Sequence, residues 1–264
     1  MSANSRLASG TSASSGVPSL SLADRLSALV EAAPLSDYLF SSPLGPFYSG
    51  DTAHYLPHFV YFGPHSSQES LRLALIAGEG RHDLLAARAL VTFVERLAQH
   101  PELGHSLNLS FFPVANVLRH LGGDEERDLS NADWSRADEP EIRLLAQDAR
   151  LRGYEGFVRV VTSADETPSA WVRKIATEST AATDVELFNS EDFNPWSVRF
   201  ETLGVGGASA GPLTLAADLP FAPFEIELAL PAHWTQAQAD RAIGALLKRL
   251  VVRYRAFHAY GQHL

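Results

Sequence analysis

The segment from Leu71 to Leu97, LRLALIAGEGRHDLLAARALVTFVERL, constrains the fold more than any other stretch of this chain. The apolar run Leu71 to Ala77 reads as a buried strand, and Gly78 and Gly80 end it where the backbone has to turn sharply. Leu84, Leu85, Leu90, Val91, Val94 and Leu97 then recur at helical spacing along one face. The unit is therefore a strand, a glycine turn and an amphipathic helix. In an open α/β sheet, the turn at the carboxyl end of such a strand is where ligands bind.

The rest of the chain continues the pattern. Leu20 to Ala33 reads as a helix, with Ser21 as its cap and Pro34 beyond its end. His58 to Gly63, Leu107 to Val114, Gly156 to Val161 and Phe224 to Leu230 read as strands. Glu139 to Arg150 fits a helix, and Thr235 to Tyr260 a long amphipathic one burying Ile243, Leu246, Leu247, Leu250 and Val251. Asn116 to Asp133, polar and holding Gly122-Gly123, reads as a loop of functional length. Ala164 to Thr183 shows no clear period, and Phe200 to Pro220, rich in Gly, Ala and Ser, reads as a loop or a loosely built strand pair. No internal repeat is present. Strands alternating with helices predict an α/β fold, with a mostly parallel or mixed twisted sheet and helices on both faces.

Composition narrows the function classes. A formal net charge of −10, with basic residues scattered among acids, argues against nucleic acid as a partner. The absence of cysteine excludes disulfides, thiolate zinc sites and cysteine nucleophiles. The Ser/Gly-rich start predicts a disordered tail over 1–18, followed by a single domain over 19–264. That start lacks the apolar core of a signal peptide, and no apolar stretch approaches the roughly 20 residues that span a bilayer. The expectation is a cytoplasmic protein with no membrane partner.

Local motifs for chemistry are weak. Gly78-Glu79-Gly80-Arg81-His82-Asp83 begins like a dinucleotide fingerprint but carries an acid where the third glycine belongs. His82 and Asp83 are adjacent, so on a helix their side chains diverge by roughly 100°. His54, His58 and His65 lie on a strand and its flanks, where packing roles are commonest. No Gly-x-Ser-x-Gly elbow exists, and Ser163 has no flanking glycine. Glu225 and Glu227 alternate with apolar neighbours, so they share a strand face, either solvated or with one as a buried acid. Trp134, Trp171, Trp196 and Trp234 fall near loop or strand ends, as core, rim or pocket lining.

Four segments between Pro57 and the C-terminus carry a wider resemblance: VYFGPHSSQESLRLALIAGEGRHDLLAARALV, LSFFPVAN, DLSNADW, and PFEIELALP with the long helix ending RYRAFHAY. Together they resemble the zinc carboxypeptidase superfamily, in particular its bacterial branch near succinylglutamate desuccinylase and aspartoacylase. The resemblance implies an α/β sheet with zinc at its strand ends. It also implies a first zinc turn reading Gly-x-His-Gly-Asp-Glu, a later histidine ligand, an Asp-Leu-Asn-Arg substrate motif and a catalytic glutamate before the final helix. In this chain the two turn ligands fall at Gly80 and Asp83, and the later histidine near Thr162. The substrate arginine falls at Asn131, within Asp128-Leu129-Ser130-Asn131, and the glutamate at Ala229, with Glu227 as the alternative register.

Glycine and threonine are poor zinc ligands, and without zinc no water is acidified toward neutral pH. The resemblance therefore implies the fold without its chemistry. The expected protein is a metal-free, catalytically silent homologue acting as a binding or regulatory protein. Its cleft would be lined by Gly80, Asp83, Asn131, Thr162, Glu225 and Ala229, for an unidentified small molecule or protein partner. The alternative is a zinc-dependent hydrolase of peptides or N-acyl amino acids with a displaced site built on His82 and Asp83.

Overall fold

The computed structural model describes residues 20–66, 70–129, 138–175, 188–203 and 224–261. The predicted tail lies outside them. Helix α1 (Leu22–Ala32) starts where Ser21 accepts from Asp24 N at 3.1 Å and the Asp24 carboxylate accepts in return from Ser21 N at 3.2 Å. Strand β1 (Leu39–Ser41), the hairpin β2 (Leu44–Ser49) and β3 (Thr52–Leu56), and β4 (Phe59–Phe62) follow. The strand and helix of the glycine turn are β5 (Leu71–Ala77) and α2 (Leu84–Gln99), and then come β6 (Leu107–Phe112), α3 (Val117–His120) and α4 (Pro140–Arg152). The second half holds β7 (Gly156–Ser163), β8 (Ser169–Ile175), α5 (Ser190–Phe193), β9 (Ser197–Leu203), β10 (Phe224–Pro231) and α6 (Gln236–Gly261).

Eight strands form one mixed sheet in the order β1-β4-β6-β5-β7-β10-β8-β9, and β2 pairs with β3 apart from it. The central four, β6, β5, β7 and β10, are parallel. From β5 the chain moves to β6 on one side and then returns to β7 on the other. The carboxyl ends of β5 and β7 therefore border the crevice that such a reversal opens.

Helices cover both faces. One face packs against α1, α2, α5 and α6 through Leu75, Val158, Ile226, Leu90, Val94, Phe193 and Leu246. The other packs Ala74, Ile76, Phe112 and Phe157 against Leu118 of α3, Ile142 and Leu145 of α4, and Phe47 and Leu56 of the hairpin. Burial of each such large apolar side chain contributes roughly 1.5–3 kcal/mol, so both layers hold the sheet that carries the crevice.

Four features depart from the sequence reading, the first being helix α3, a single turn capped by Asn116 inside the segment Asn116 to Asp133 read as a loop. Strand β8 falls in the stretch without a period, because Ala170 and Val172 face the core while Trp171 and Arg173 face a cluster of charges. Strand β9 begins before the Gly-rich segment and runs to Leu203. The hairpin carries Gly45 and Pro46 inside β2, where the pairing register shifts between Leu44 and Phe47, which hides its alternation.

His58, just before β4, is 1% exposed; its ring stacks on Phe112 at 4.5 Å, and Nδ1 donates to Ser42 O at 3.0 Å. Burial pulls its pKa down to about 4. The folded state therefore holds the ring neutral; this stability is present above the unfolded value near 6.5 and is lost as pH falls through 4. Urea unfolding of wild type and His58→Phe at pH 7 and pH 4 should show the wild type losing about 3 kcal/mol more than the variant on acidification.

Candidate functional site

The glycine turn is fixed from below and beside. Gly78 has φ +68, and a Cβ there would meet Pro113 O and Val114 Cα at 3.1 Å, so no larger residue fits without displacement of the backbone. The segment after β6 is stitched to this turn. Ala115 N donates to Ala77 O and Asn116 N to Gly78 O, both at 2.8 Å, and Leu129 N donates to Glu79 O at 3.0 Å. The buried Asn116 amide donates to Glu79 O at 3.0 Å and Arg127 O at 3.3 Å, while its oxygen caps α3 by accepting from Arg119 N at 3.2 Å. From α3, His120 Nε2 donates to Gly80 O at 3.2 Å, and burial lowers the pKa of that ring.

Asp83 closes the turn. It is 3% exposed; Oδ2 accepts from Gly80 N and Oδ1 from Thr162 N, each at 2.7 Å. Gly80, Asp83 and Thr162 are thus brought together through one carboxylate and two backbone N–H groups. Burial pushes the Asp83 carboxyl up to about 6, overcoming the two N–H donors that favour its charged form. His82 is exposed beside it.

One face of β7, β10 and β8 carries the charges. Arg159 projects from β7 and grips Glu79 with two parallel bonds, Nε to Oε1 at 2.8 Å and Nη2 to Oε2 at 2.7 Å. Its remaining nitrogen, Nη1, donates to Glu225 at 3.2 Å and Glu227 at 3.1 Å. Arg173 of β8 completes the cluster with a 2.5 Å bond to Glu225. Glu79, Arg159, Arg173 and Glu225 are all buried, whereas the Glu227 side chain is 26% exposed. Burial opposes the charge on Arg159, but Glu79, Glu225 and Glu227 outweigh it and raise its pKa above the ordinary arginine value. Burial pushes Glu225 up against the pull of the two guanidiniums. Beside this cluster the Arg173 and Arg199 guanidiniums approach the Trp171 ring, 4.3 and 5.0 Å from its centroid.

The strand register places the remaining candidates. Glu225, Glu227 and Ala229 pair with Phe157, Arg159 and Val161, so the two glutamates share the charged face and Ala229 stands nearer the strand ends without a polar side chain. Asn131 lies outside the described residues. Glu79, Arg159 and Arg173 were not among the residues singled out from sequence. Their signal was there to find: an arginine inside GFVRVV, a strand otherwise apolar enough to be buried on both faces, requires an acidic partner.

Zinc needs about three nitrogen or oxygen donors around one point. Here Gly80 offers no side chain, Asp83 is committed to two N–H groups, and Thr162 offers a neutral hydroxyl that is buried without a hydrogen-bond partner. The nearby glutamates are committed to guanidiniums. Among the described residues no group of three or more His, Asp or Glu is placed to hold a metal ion. The residues present do not fit zinc.

No protein-family model matches the sequence, and no curated protein matches it. Solved structures do match. A metallo-carboxypeptidase from Burkholderia cenocepacia superposes with a TM-score of 0.67 at 15% identity, covering 89% of this chain and 69% of that one. A metallo-carboxypeptidase from Pseudomonas aeruginosa, in complex with (2-guanidinoethylmercapto)succinic acid, gives 0.61 at 18% identity over 87% and 68%. Carboxypeptidase A from Helicoverpa armigera gives 0.59 at 12% identity over 89% and 71%. The chain has the metallocarboxypeptidase fold, a mixed twisted sheet with helices on both faces.

Two outcomes follow from the geometry. Arg159→Met leaves Glu79 buried and unpaired, which should cost about 3–5 kcal/mol in urea unfolding, and a second change, Glu79→Gln, should recover part of that loss. For Asp83 the raised pKa means its stability is present below about 4 and lost as pH rises through 6. Between pH 4 and pH 7 the wild type should therefore lose about 3 kcal/mol relative to Asp83→Asn, measured by the same unfolding curves.

Proposed function

We propose that this chain is a metal-free, catalytically silent relative of the zinc carboxypeptidases, from the bacterial branch near succinylglutamate desuccinylase and aspartoacylase, acting as a binding or regulatory protein. The observation that carries this reading is Asp83. The only acid at the three expected ligand positions holds the backbone N–H groups of the other two. A carboxylate serving as a structural clasp is a poor start for a metal centre, and the imidazole that reaches the turn, His120, is itself engaged with Gly80 O. With no side chain at Gly80 or Ala229 to act as base or ligand, no general base stands at the usual place.

In this reading the crevice is retained as a binding surface. It is bordered by Gly80, Asp83, Thr162 and Ala229, with Glu225 and Glu227 on the charged face beside them. The occupant is a small molecule or a protein partner, in the cytoplasm. Among the described residues no helix is long and apolar enough to cross a membrane. The exposure of His82, against the burial of Asp83, speaks against a displaced zinc site built on that pair.

Elemental analysis of the purified chain after dialysis is the direct test. Zinc should fall far below one ion per chain, and peptides and N-acyl amino acids should show no chelator-sensitive hydrolysis. Near-stoichiometric zinc, with hydrolysis abolished by His82→Ala or Asp83→Ala, would establish the displaced-site hydrolase instead.

A further inference from the structure

The two edges of the main sheet are finished differently. One ends in β1, only three residues long, and a very short strand is a poor template for a partner. The other ends in β9, seven residues long, which pairs in parallel with β8 on its inner side and with no other strand among the described residues. A long edge strand presents a row of backbone N–H and C=O groups to which a further strand can add, and proline, lysine or a bulge commonly blunts it. Ser197–Leu203, SVRFETL, holds neither proline nor lysine, and its pairing with β8 runs without a register shift. β9 stands outside β10 and β8, so this edge is independent of the glycine turn.

Its charges come as a matched pair. Arg199 and Glu201 are two residues apart and share one face of the strand, while Phe200 between them takes the other. Arg199 is exposed, and its guanidinium meets only the Trp171 ring, 5.0 Å from the centroid. Glu201 is half-buried, and among the described residues neither side chain has an ion-pair or hydrogen-bond partner. Phe200 meets Phe193 edge-on, 6.2 Å between centroids, yet stays 44% exposed.

This order is self-complementary. When two copies of β9 lie antiparallel about Phe200, Arg199 of each stands directly opposite Glu201 of the other, and Phe200 stands opposite its own copy. Opposite charges and aromatic rings directly across from one another stabilise an antiparallel ladder. A shift of one residue would set the two faces against each other, which the pleat forbids. The next registers that keep the faces matched centre on Arg199 or Glu201 and put like charges opposite, which is destabilising. A strand from another protein would need the same acid–base order, whereas a second copy supplies it by symmetry. We infer that β9 is a self-association edge, through which two copies of this chain form a two-fold dimer with one continuous sheet.

Sedimentation velocity of the full chain tests this. At about 100 µM the wild type should run at twice the mass of one chain. Arg199→Glu and Glu201→Arg each set like charges opposite across the axis, and each should raise the dimer Kd by about tenfold or more while the circular dichroism of the fold stays unchanged. Mixed in equal amounts, the two variants regain both opposite-charge pairs and should form heterodimers with about the wild-type affinity. The chain has no cysteine, so an introduced one reports the register cleanly. In Phe200→Cys the two Cα atoms would stand about 4.5–5.5 Å apart, within disulfide reach, and oxidation should join two chains. In Ser197→Cys they would stand about 20 Å apart, and the chains should stay single. A wild type that remains monomeric at about 100 µM, a dimer indifferent to both charge reversals, or reversed chains that fail to recover on mixing, would overturn the assignment. Crosslinking through Ser197→Cys and not through Phe200→Cys would overturn its register.

Discussion

The structure depends on one buried ion pair. Arg159, in the middle of β7, meets Glu79, in the turn after β5, through two parallel bonds below 3 Å. Neither group has water to turn to, and each would be costly to bury alone. The pair fixes the height of the glycine turn over the sheet. Through Glu225 and Glu227 it also fixes the face of β10, and through Arg173 that of β8. Three carboxylates around one guanidinium, with a second guanidinium behind, make a cluster whose cations are carried by the chain itself.

That arrangement sets what the crevice can do. In a metallocarboxypeptidase fold the strand ends of β5, β7 and β10 meet at one place. Here the polar groups at that place are tied to one another: Asp83 to two backbone amides, Glu79 to Arg159, and Glu227 to the same guanidinium. Groups so engaged are poor candidates to move protons or grip an ion. The loop after β6, held to Glu79 O by Asn116 and Leu129, makes the turn more rigid still.

Much of the fold was legible because its elements obey simple periods. Leu71 to Ala77 is a nearly continuous apolar strand, Phe224 to Leu230 alternates apolar residues with Glu225 and Glu227, and α2 keeps a clean helical stripe. The hairpin was not legible, since Gly45-Pro46 breaks the alternation, nor was β8, whose inward charges look like a surface. At the site, Gly80, Asp83 and Thr162 were found by position, yet the reason they meet is a set of backbone amides that no side-chain pattern announces. Glu225 and Glu227 were read as sharing a face. What the pattern could not supply was Arg159 opposite them, because register between distant strands is a property of the folded sheet.

The central claim is that ion pairs and backbone amides, and no metal, hold the strand ends together. Crystals of the wild-type chain grown with zinc, with anomalous diffraction recorded at the zinc edge, test it most directly. The account predicts Asp83 still on the amides of Gly80 and Thr162, Arg159 still on Glu79, and no anomalous peak within about 2.0–2.3 Å of either acid. A strong peak bound by Asp83 and two further side chains would contradict it.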